Sequence, residues 1–392
     1  MKYLFIIQGE GRGHMTQAIS LKNMLLKNGH EVVHVFIGTG KSRIIPNFFY
    51  ENMETAVSQV RSPWFVPDKK KKGIKLGASI LTNIWHFRHF LSSIKQIHQK
   101  VKATKPDAII NFYDLLGGLY HLRYKKQQSF ICIGHQYIRS HPEVSAPKGH
   151  YTDKLLFRIN NAMTSIKADL KLALSFSSLS NQPDEKLFIV PPLLRQKVLN
   201  AEIENEDFIL GYILNEGYAE EVIAWHMKNP HKKAHFFWDK KNAHEKTIIH
   251  RNLVFHKIND TKFIDFMRRC KAYISTAGFE SICEAMYLGK PAMMIPTAGH
   301  FEQKCNALDA SGAGGGISSD NFNINKLLDF VPVYQQSNQQ KFVKWATKAE
   351  DYFMFYLTQK NLKVSCKAVT KYPANIKMNR KNSLLKIQEI QF

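Results

Sequence analysis

The stretch STAGFESICEAMYLGKPAMMIPTAGHFEQKCNALDASGAG, residues 275–314, carries the fold prediction for this chain of 392 residues. It predicts a strand that ends at Ser275, a helix that Gly278 opens, and then a second strand and a second helix. Short apolar strands that alternate with helices build parallel sheets with helices on both faces. The free N–H groups at the start of the first helix suit a diphosphate.

Polar side chains of the same stretch are candidate ligands for a sugar. Glu284 lies inside the first predicted helix, where a carboxylate can accept both hydroxyls of a ribose. The loop after the second strand carries His300, Glu302 and Gln303. An acid and an amide side by side suit the hydroxyls of a sugar.

The same alternation of strands and helices runs along the rest of the chain. Strands are predicted at 3–7, 31–37, 107–112, 129–134, 170–176, 187–192, 208–214, 234–238, 252–256, 272–275 and 291–296. An acidic stretch after Pro192 predicts a linker. The sequence therefore predicts an α/β protein with two doubly wound, Rossmann-like domains, at 1–200 and 201–335. One terminal helix is predicted at 336–360, and a basic tail at 361–392.

A glycine-rich loop, QGEGRGHMTQA, follows the first strand at residues 8–18. A dinucleotide fingerprint that starts at Gly9 would need glycine where His14 stands, and GTGKS at 38–42 lacks the first glycine of a phosphate-binding loop. Gly11 and Gly13 let a substrate approach the backbone closely. His14 would then face the crevice outside the carboxyl ends of the strands. The alternative is a glycine-rich turn with a capping histidine.

Both segments together resemble glycosyltransferases of the GT-B fold, especially the MurG-like N-acetylglucosaminyltransferases and the UDP-glucuronosyltransferase type. Their first loop ends in Gly-x-Gly-His or a close variant, as here. Their donor segment is matched, in order, by Ser275, Gly278, Glu284, Gly289, Pro291, Glu302, Gln303, Asn306 and Ala307. The resemblance implies two domains that face each other across a cleft and a hexosyl or N-acetylhexosaminyl transferase.

The resemblance also implies roles for individual residues. The donor-binding set comprises Gly11, Gly13, Ser275, Thr276, Ala277, Gly278, Glu284, Glu302 and Gln303, with Glu284 on the ribose and Glu302 and Gln303 on the donor sugar. His14 takes the position of the general base, for which a pKa near the ordinary 6.5 is expected. Weaker expectations are an acceptor-side role for His135 and a contact between the nucleobase and the backbone at Phe255, His256 and Ile258.

Two motifs that the sequence lacks bear on the stereochemistry of the transfer and on its need for a metal ion. Retaining GT-B enzymes carry a second glutamate eight residues before the first, and Thr276 stands there instead. No Asp-x-Asp occurs, as the metal-dependent transferase fold would require. We therefore expect inversion with a UDP-sugar, no metal and no cofactor. A nucleotide-sugar 2-epimerase on the same fold remains an alternative.

The charge of the chain predicts an anionic partner. The chain has 55 Lys and Arg against 32 Asp and Glu, a formal net charge of +23. Residues 69–105 hold ten of the basic residues and no acid, with an apolar stripe of Ile80, Ile84, Phe87, Leu91, Ile94 and Val101. This segment is either a helix packed on the sheet or an interfacial helix on anionic lipid, where a lipid-linked acceptor would be reached. Trp85 lies off the stripe.

Other classes of protein fit the sequence less well. The five cysteines show no metal-ligand spacing, and their odd number in a chain of this size speaks against a disulfide framework and favours a reducing cytoplasm. No apolar run of about 18 residues predicts a membrane span. A basic nucleic-acid-binding protein is the competing class, but no helix-turn-helix, RNP or zinc-finger pattern occurs. The expected location is therefore cytoplasmic, with peripheral membrane contact if the interfacial interpretation holds.

Overall fold

In the described residues, the chain forms two sheets of seven strands each, and nearly all of the strands run parallel. The computed structural model describes residues 1–40, 44–63, 83, 85–124, 128–213, 216–240 and 243–358. The first sheet has the order β3-β2-β1-β4-β5-β6-β7 and is parallel throughout. Its strands are β1 Lys2–Gln8, β2 Glu31–Thr39, β3 Val57–Arg61, β4 Ala108–Phe112, β5 Ser129–Ile133, β6 Leu170–Leu174 and β7 Leu187–Val190.

The second sheet repeats this plan with one antiparallel edge strand. Its order is β10-β11-β9-β8-β12-β13-β14, and β10 alone among these seven runs antiparallel to its neighbour. The strands are β8 Ile209–Ile213, β9 Ala234–Trp238, β10 Lys246–His250, β11 Leu253–Lys257, β12 Ala272–Ser275, β13 Ala292–Met294 and β14 Gly316–Ser318. The α/β fold class predicted from the sequence is confirmed.

Helices cover the sheets. They are α1 Gly13–Lys27, α2 Asn47–Met53, α3 Phe87–Thr104, α4 Leu115–Arg123, α5 Tyr151–Thr164, α6 Gln196–Leu199, α7 Ala219–Lys228, α8 Asp260–Arg269, α9 Phe279–Tyr287, α10 Phe301–Gly312, α11 Ile324–Phe330, α12 Gln336–Ala346 and α13 Ala349–Leu357. In the described part of the chain, none of them combines the length and the hydropathy that a membrane crossing requires.

Apolar runs that the sequence predicts as strands are buried on both faces. Residues 3–7 of β1 and 108–112 of β4 are fully enclosed, as expected for central strands between two layers of helices. One hydrophobic cluster extends from Phe5 through Val198 of α6 to Phe208 and Phe279 of the second half. The two halves therefore share part of their apolar core.

Several elements of the structure were not predicted, among them the strands β3 and β10 and the helix α6. The strand β3 contains only two apolar residues, and β10 is exposed or half-exposed along its whole length, so neither has the apolar run of a central strand. The helix α6 is a single turn inside the predicted linker. Short edge elements are selected by the neighbours they pair with rather than by their own pattern.

The terminal helix predicted at 336–360 is two helices, α12 and α13. The hydrogen bonding tightens between them, where the Lys348 N–H bonds the Trp345 carbonyl three residues back. The Trp345 indole donates to the Ser175 carbonyl at 2.9 Å, and the Tyr3 hydroxyl donates to the Leu357 carbonyl at 2.9 Å. These bonds fasten both helices to the first half of the chain. The basic tail at 361–392 lies outside the described residues.

One face of the helix α3 is buried in the core of the first half along most of the helix. Ile94 and Val101 of the predicted stripe are buried in the core, whereas Phe87 and Leu91 are exposed. The lysine-rich residues 69–72 and the first part of the stripe, Ile80 and Ile84, lie outside the described residues. The structure thus supports the packed interpretation for 94–101 and leaves the membrane interpretation to the exposed beginning of the helix.

Candidate active site

A deep cleft lies where the carboxyl ends of the two parallel sheets face each other. Its cavity volume is about 740 Å³, and residues from both halves line it. In open α/β sheets ligands bind at this edge, because the loops after parallel strands meet there. The glycine-rich loop after β1 and the start of α9 after β12 both open into the cleft.

His14 occupies the first turn of α1 and lines the cleft. Its Nδ1 lies 3.1 Å from Gln17 Oε1, and its Nε2 lies 3.3 Å from Gln136 Nε2. The residue at the N-cap of α1 is Arg12, which makes no side-chain capping bond, so the alternative of a capping histidine is wrong. Burial lowers the pKa of His14 to about 4, below the expected 6.5, and the imidazole is neutral at pH 7 in this closed cleft.

The two glycines before His14 differ in their surroundings. No atom lies within 4 Å of the place that a side chain at Gly11 would take, so the backbone there is open to a ligand. Gly13 packs directly against the carboxylate of Glu280, and a methyl group at Gly13 would collide with it. At Gly13 the close approach is therefore made by a side chain of the opposite half, and the approach of a substrate stays a prediction for Gly11.

The turn between β12 and α9 leads from the buried strand end to the cleft, which the predicted residue Gly278 lines and the predicted residues 275–277 do not. Ser275 and Thr276 are buried at the strand end. Ala277 has a φ of 54°, the left-handed region that costs a non-glycine residue energy, and the Asn306 amide donates to its carbonyl at 3.1 Å. Gly278 is the N-cap of α9 and no side chain caps that end. The start of α9 is therefore suited to an anionic group.

Glu284 is almost fully buried and paired with an arginine of the interdomain linker. Arg195 donates from Nε to Glu284 Oε1 at 2.6 Å and from Nη2 to Glu284 Oε2 at 2.5 Å. Arg195 also contacts Asp260 at the start of α8. All three line the cleft. Sequence reasoning missed Arg195 and Asp260, since a lone arginine in a linker carries no motif.

Glu302 and Gln303 lie in the first turn of α10, and both line the cleft. Glu302 Oε1 accepts a hydrogen bond from Gln136 Nε2 at 2.9 Å, and burial raises the Glu302 pKa to about 7. Gln303 Oε1 accepts from the Thr297 N–H at 2.7 Å, which anchors the side chain to the preceding loop. The predicted pair is thus brought beside the loop that carries His14.

Comparisons with known proteins agree with this geometry. A family model described as glycosyl transferase family 1 matches residues 1–335. The chain belongs to glycosyl transferase family 1. It is similar to an enzyme of Rickettsia canadensis named UDP-N-acetylglucosamine–N-acetylmuramyl-(pentapeptide) pyrophosphoryl-undecaprenol N-acetylglucosamine transferase, 23% identical over 84% of this chain and 90% of that one. An enzyme of the same name from Alkaliphilus metalliredigens is 24% identical over 82% of this chain and 87% of its own.

Solved structures show the same fold at low identity. MurG of Acinetobacter baumannii has a TM-score of 0.54 and 14% identity over 91% of this chain and 99% of that chain. The spinosyn rhamnosyltransferase SpnG in complex with thymidine diphosphate has a TM-score of 0.57 and 15% identity over 92% of this chain and 100% of that chain. The resemblance to GT-B enzymes is confirmed, and the protein is a glycosyltransferase with two Rossmann-like sheets.

A second acid of this glycosyltransferase, missed by sequence reasoning, lies at the start of α9. Glu280 accepts a hydrogen bond from Gln17 Nε2 of α1 across the cleft. Burial raises the Glu280 pKa to about 7. The sequence offers one signal for it, which is an acidic residue in the first turn of the helix that holds Glu284.

His135, predicted on the acceptor side, lines the cleft but also joins the two halves. Its Nδ1 lies 2.7 Å from the Leu174 carbonyl, and its Nε2 lies 3.2 Å from Asp309 Oδ2 of α10. Its ring stacks on Phe279 of α9 at 4.1 Å. Arg139 contacts the same Asp309 carboxylate. The Nδ1 of His135 thus has a hydrogen-bond partner in the first half, whereas its Nε2 makes no hydrogen bond within the described residues and lies at ion-pair distance from Asp309.

Of the three residues expected near the nucleobase, one lines the cleft and two have their side chains in the core. Ile258 lines the cleft. Phe255 is fully buried beside Phe236, and His256 lies with its Nε2 3.1 Å from His235 Nδ1 on the side of β11 that packs on α8. The side chains of Phe255 and His256 do not line the cleft. The predicted contact concerns the backbone at the end of β11, and it stays a prediction.

The acids and histidines of the described residues form no cluster that could hold a metal ion. Three carboxylates that line the cleft contact arginine or amide side chains: Glu284 contacts Arg195, Glu302 contacts Gln136, and Glu280 contacts Gln17.

Proposed function

We propose that this glycosyltransferase moves a sugar, with inversion and without a metal ion, from a UDP-sugar to a hydroxyl of a lipid-linked glycan. The observation that carries the proposal is the position of His14, a neutral imidazole that lines the cleft opposite the uncapped start of α9. The relatives from Rickettsia canadensis and Alkaliphilus metalliredigens, named for UDP-N-acetylglucosamine and an undecaprenol-linked acceptor, support the substrate classes.

The donor belongs to the second half of the chain in this proposal. The N–H groups at the start of α9 receive the diphosphate, and the buried carboxylate of Glu284 accepts the ribose hydroxyls with the lone pairs that Arg195 leaves free. Glu302 and Gln303 take hydroxyls of the donor sugar. Gly11, with open space beside its backbone, lets the donor pass close to the first loop.

The transfer is a single displacement at the anomeric carbon. The acceptor oxygen forms a bond to that carbon while the bond from the carbon to the diphosphate oxygen breaks with its electron pair. The acceptor hydroxyl takes the place of the Gln136 amide at His14 Nε2, and this nitrogen then accepts the hydroxyl proton. The helix start stabilises the charge on the departing diphosphate, which is the task a metal ion performs in other transferases.

A lipid-linked acceptor is supported by an apolar surface beside the cleft. The helix α5 exposes Tyr151, Leu155 and Ile159, four residues apart and so on one face. Leu156 and Phe157 of the same helix line the cleft. We propose that this face and the exposed beginning of α3 rest on an anionic membrane surface, with the enzyme on the cytoplasmic side.

The test is transfer from UDP-N-acetylglucosamine to an undecaprenyl-diphosphate-linked saccharide, with UDP-glucose as a second donor. We expect product of inverted anomeric configuration by NMR and a rate that EDTA leaves unchanged. His14→Ala should lower kcat by roughly 100- to 10,000-fold while UDP affinity stays nearly constant. The acidic limb of the wild-type pH–kcat profile should lie near pH 4, the His14 pKa in the cleft, because protonation removes the base as the pH falls.

Several outcomes contradict the proposal. Isomerised sugar from donor alone identifies a 2-epimerase, and loss of transfer with EDTA that Mg²⁺ restores removes metal independence. Retained anomeric configuration excludes a single displacement. A His14→Ala enzyme with full kcat and lost UDP affinity makes the first loop a phosphate-binding loop.

A further inference from the structure

Five side chains form one hydrogen-bonded chain that crosses the cleft. In order they are Glu280, Gln17, His14, Gln136 and Glu302. The two acids at the ends belong to α9 and α10 of the second half, and the three middle residues belong to the first. His14, the proposed base, lies at the centre.

The arm that begins at Glu280 fixes the proton on His14 Nδ1. A carboxylate oxygen only accepts, so the Gln17 amide turns its NH₂ group to Glu280 Oε1. The Gln17 carbonyl oxygen then faces His14 Nδ1 at 3.1 Å. A carbonyl oxygen also only accepts, so the hydrogen bond requires the proton on Nδ1.

The arm that begins at Glu302 leads to the same tautomer independently. Glu302 Oε1 accepts from Gln136 Nε2 at 2.9 Å, so the NH₂ group of Gln136 faces into the chain. The same nitrogen lies 3.3 Å from His14 Nε2. An NH₂ group donates to a lone pair, and His14 Nε2 is therefore the nitrogen that lacks a proton.

We propose that Gln17 and Glu280 are positioning residues that hold His14 in the Nδ1–H tautomer, and that the base takes this form when the two halves of the enzyme close. The proposal rests on the proposed role of His14 as general base. Glu280 comes from the opposite half, so separating the halves removes the group that orients Gln17. An imidazole with its proton on Nε2 cannot take a proton there from the acceptor hydroxyl.

The packing of Gly13 is consistent with this arrangement. The Glu280 carboxylate reaches Gln17 by passing over Gly13, where even a methyl group would collide with it. Gly13→Ala should therefore push Glu280 away from Gln17 and weaken the hydrogen bond that orients Gln17 toward His14.

The direct measurement is ¹⁵N NMR of the full chain labelled in its histidine rings. It is made at pH 8, above the raised pKa of about 7 of Glu280 and of Glu302. The spectrum of His14→Gln identifies the His14 signals by their absence. We expect wild-type His14 to carry its proton on Nδ1, and Gln17→Ala and Glu280→Gln to give a mixture of tautomers.

Exchanging the two groups provides a rescue. In the double variant Gln17→Glu/Glu280→Gln, the new carboxylate accepts both from the amide at 280 and from His14 Nδ1–H, so the tautomer is restored. Each single variant should lower kcat by ~10- to 100-fold, and the double variant should recover to within ~5-fold of wild type. UDP affinity is measured separately, and Glu185→Gln on the surface is the control for mutation itself.

Unchanged His14 signals in Gln17→Ala and Glu280→Gln would overturn the proposal. So would a double variant whose loss of kcat equals the product of the two single losses. If the wild-type enzyme transfers no sugar, the proposed function fails, but the NMR measurement needs no substrate and still decides the tautomer.

Discussion

Arg195 contacts both carboxylate oxygens of Glu284 and ties the interdomain linker to α9. The pair lies in the cleft at the residue that the family pattern assigns to the ribose. Two of the lone pairs of the Glu284 carboxylate face the guanidinium, and the others remain for hydroxyl donors. The ribose contact that we propose for Glu284 would thus depend on Arg195, a residue outside the donor segment.

At this scale we predict that Glu284→Gln weakens UDP binding by about 2–3 kcal/mol, the range of hydrogen bonds to a charged group. Binding of the 2′-deoxy nucleotide should change much less, because it lacks one of the hydroxyls. Isothermal titration calorimetry measures both, with Glu185→Gln as the control. Arg195 keeps Asp260 as a partner, so the variant should fold. Equal losses for ribose and deoxyribose nucleotides would remove Glu284 from this role.

Among the elements, α5 carries an exposed apolar face and also lines the cleft, and Ile159 belongs to both surfaces. Leu156 and Phe157 face the cleft, while Tyr151 is 83% exposed and Leu155 57% exposed. Lys154 and Arg158 lie on the same helix and add positive charge beside the apolar face. An apolar face flanked by basic residues suits the interface of an anionic bilayer.

We predict that Tyr151→Ser/Leu155→Ser/Ile159→Ser weakens binding to vesicles of anionic lipid by at least ~10-fold, since each apolar side chain withdrawn from the interface loses ~1 kcal/mol or more. Added salt should weaken the wild-type binding as well. Vesicle sedimentation gives both results. The matched control is Met227→Ser/Ile248→Ser, two exposed apolar residues of the second half. Wild-type protein that does not sediment with anionic vesicles would contradict the prediction.

Considered as a whole molecule, the glycosyltransferase is closed by polar contacts across the cleft as well as by its shared core. Arg139 and His135 of the first half meet at Asp309 of α10. The Arg139 side chain is only 6% exposed, and Asp309 is 13% exposed. Removing one partner of such a pair leaves an uncompensated charge, which is costly.

We predict that Asp309→Asn weakens closure by ~1–3 kcal/mol and increases the radius of gyration in small-angle X-ray scattering. Glu350→Gln is the control, because its partner Lys27 is 70% exposed and such surface pairs contribute little. Identical scattering from Asp309→Asn and wild type would show that the apolar contacts alone keep the halves together.

The local pattern of apolar residues and glycines in the sequence is sufficient to predict most of the strands and helix starts. The strands β9 and β12 are found at the residues predicted from their apolar runs, and the helix after Gly278 begins where the glycine indicates. A buried strand or a helix start depends on neighbours a few residues away, and these are visible in the sequence. The family pattern then places His14, Glu284, Glu302 and Gln303 at one cleft, and all four line it.

Tertiary structure decides which side chains meet inside that cleft. Gln17 and Glu280 are 263 residues apart, and Arg195 and Glu284 are 89 apart, so no local spacing connects them. Their contacts exist because strand ends of two separate sheets face each other and the halves close. The lowered pKa of His14 and the raised pKa of Glu280 have the same origin, since burial between the halves, rather than residue type, disfavours the charged form.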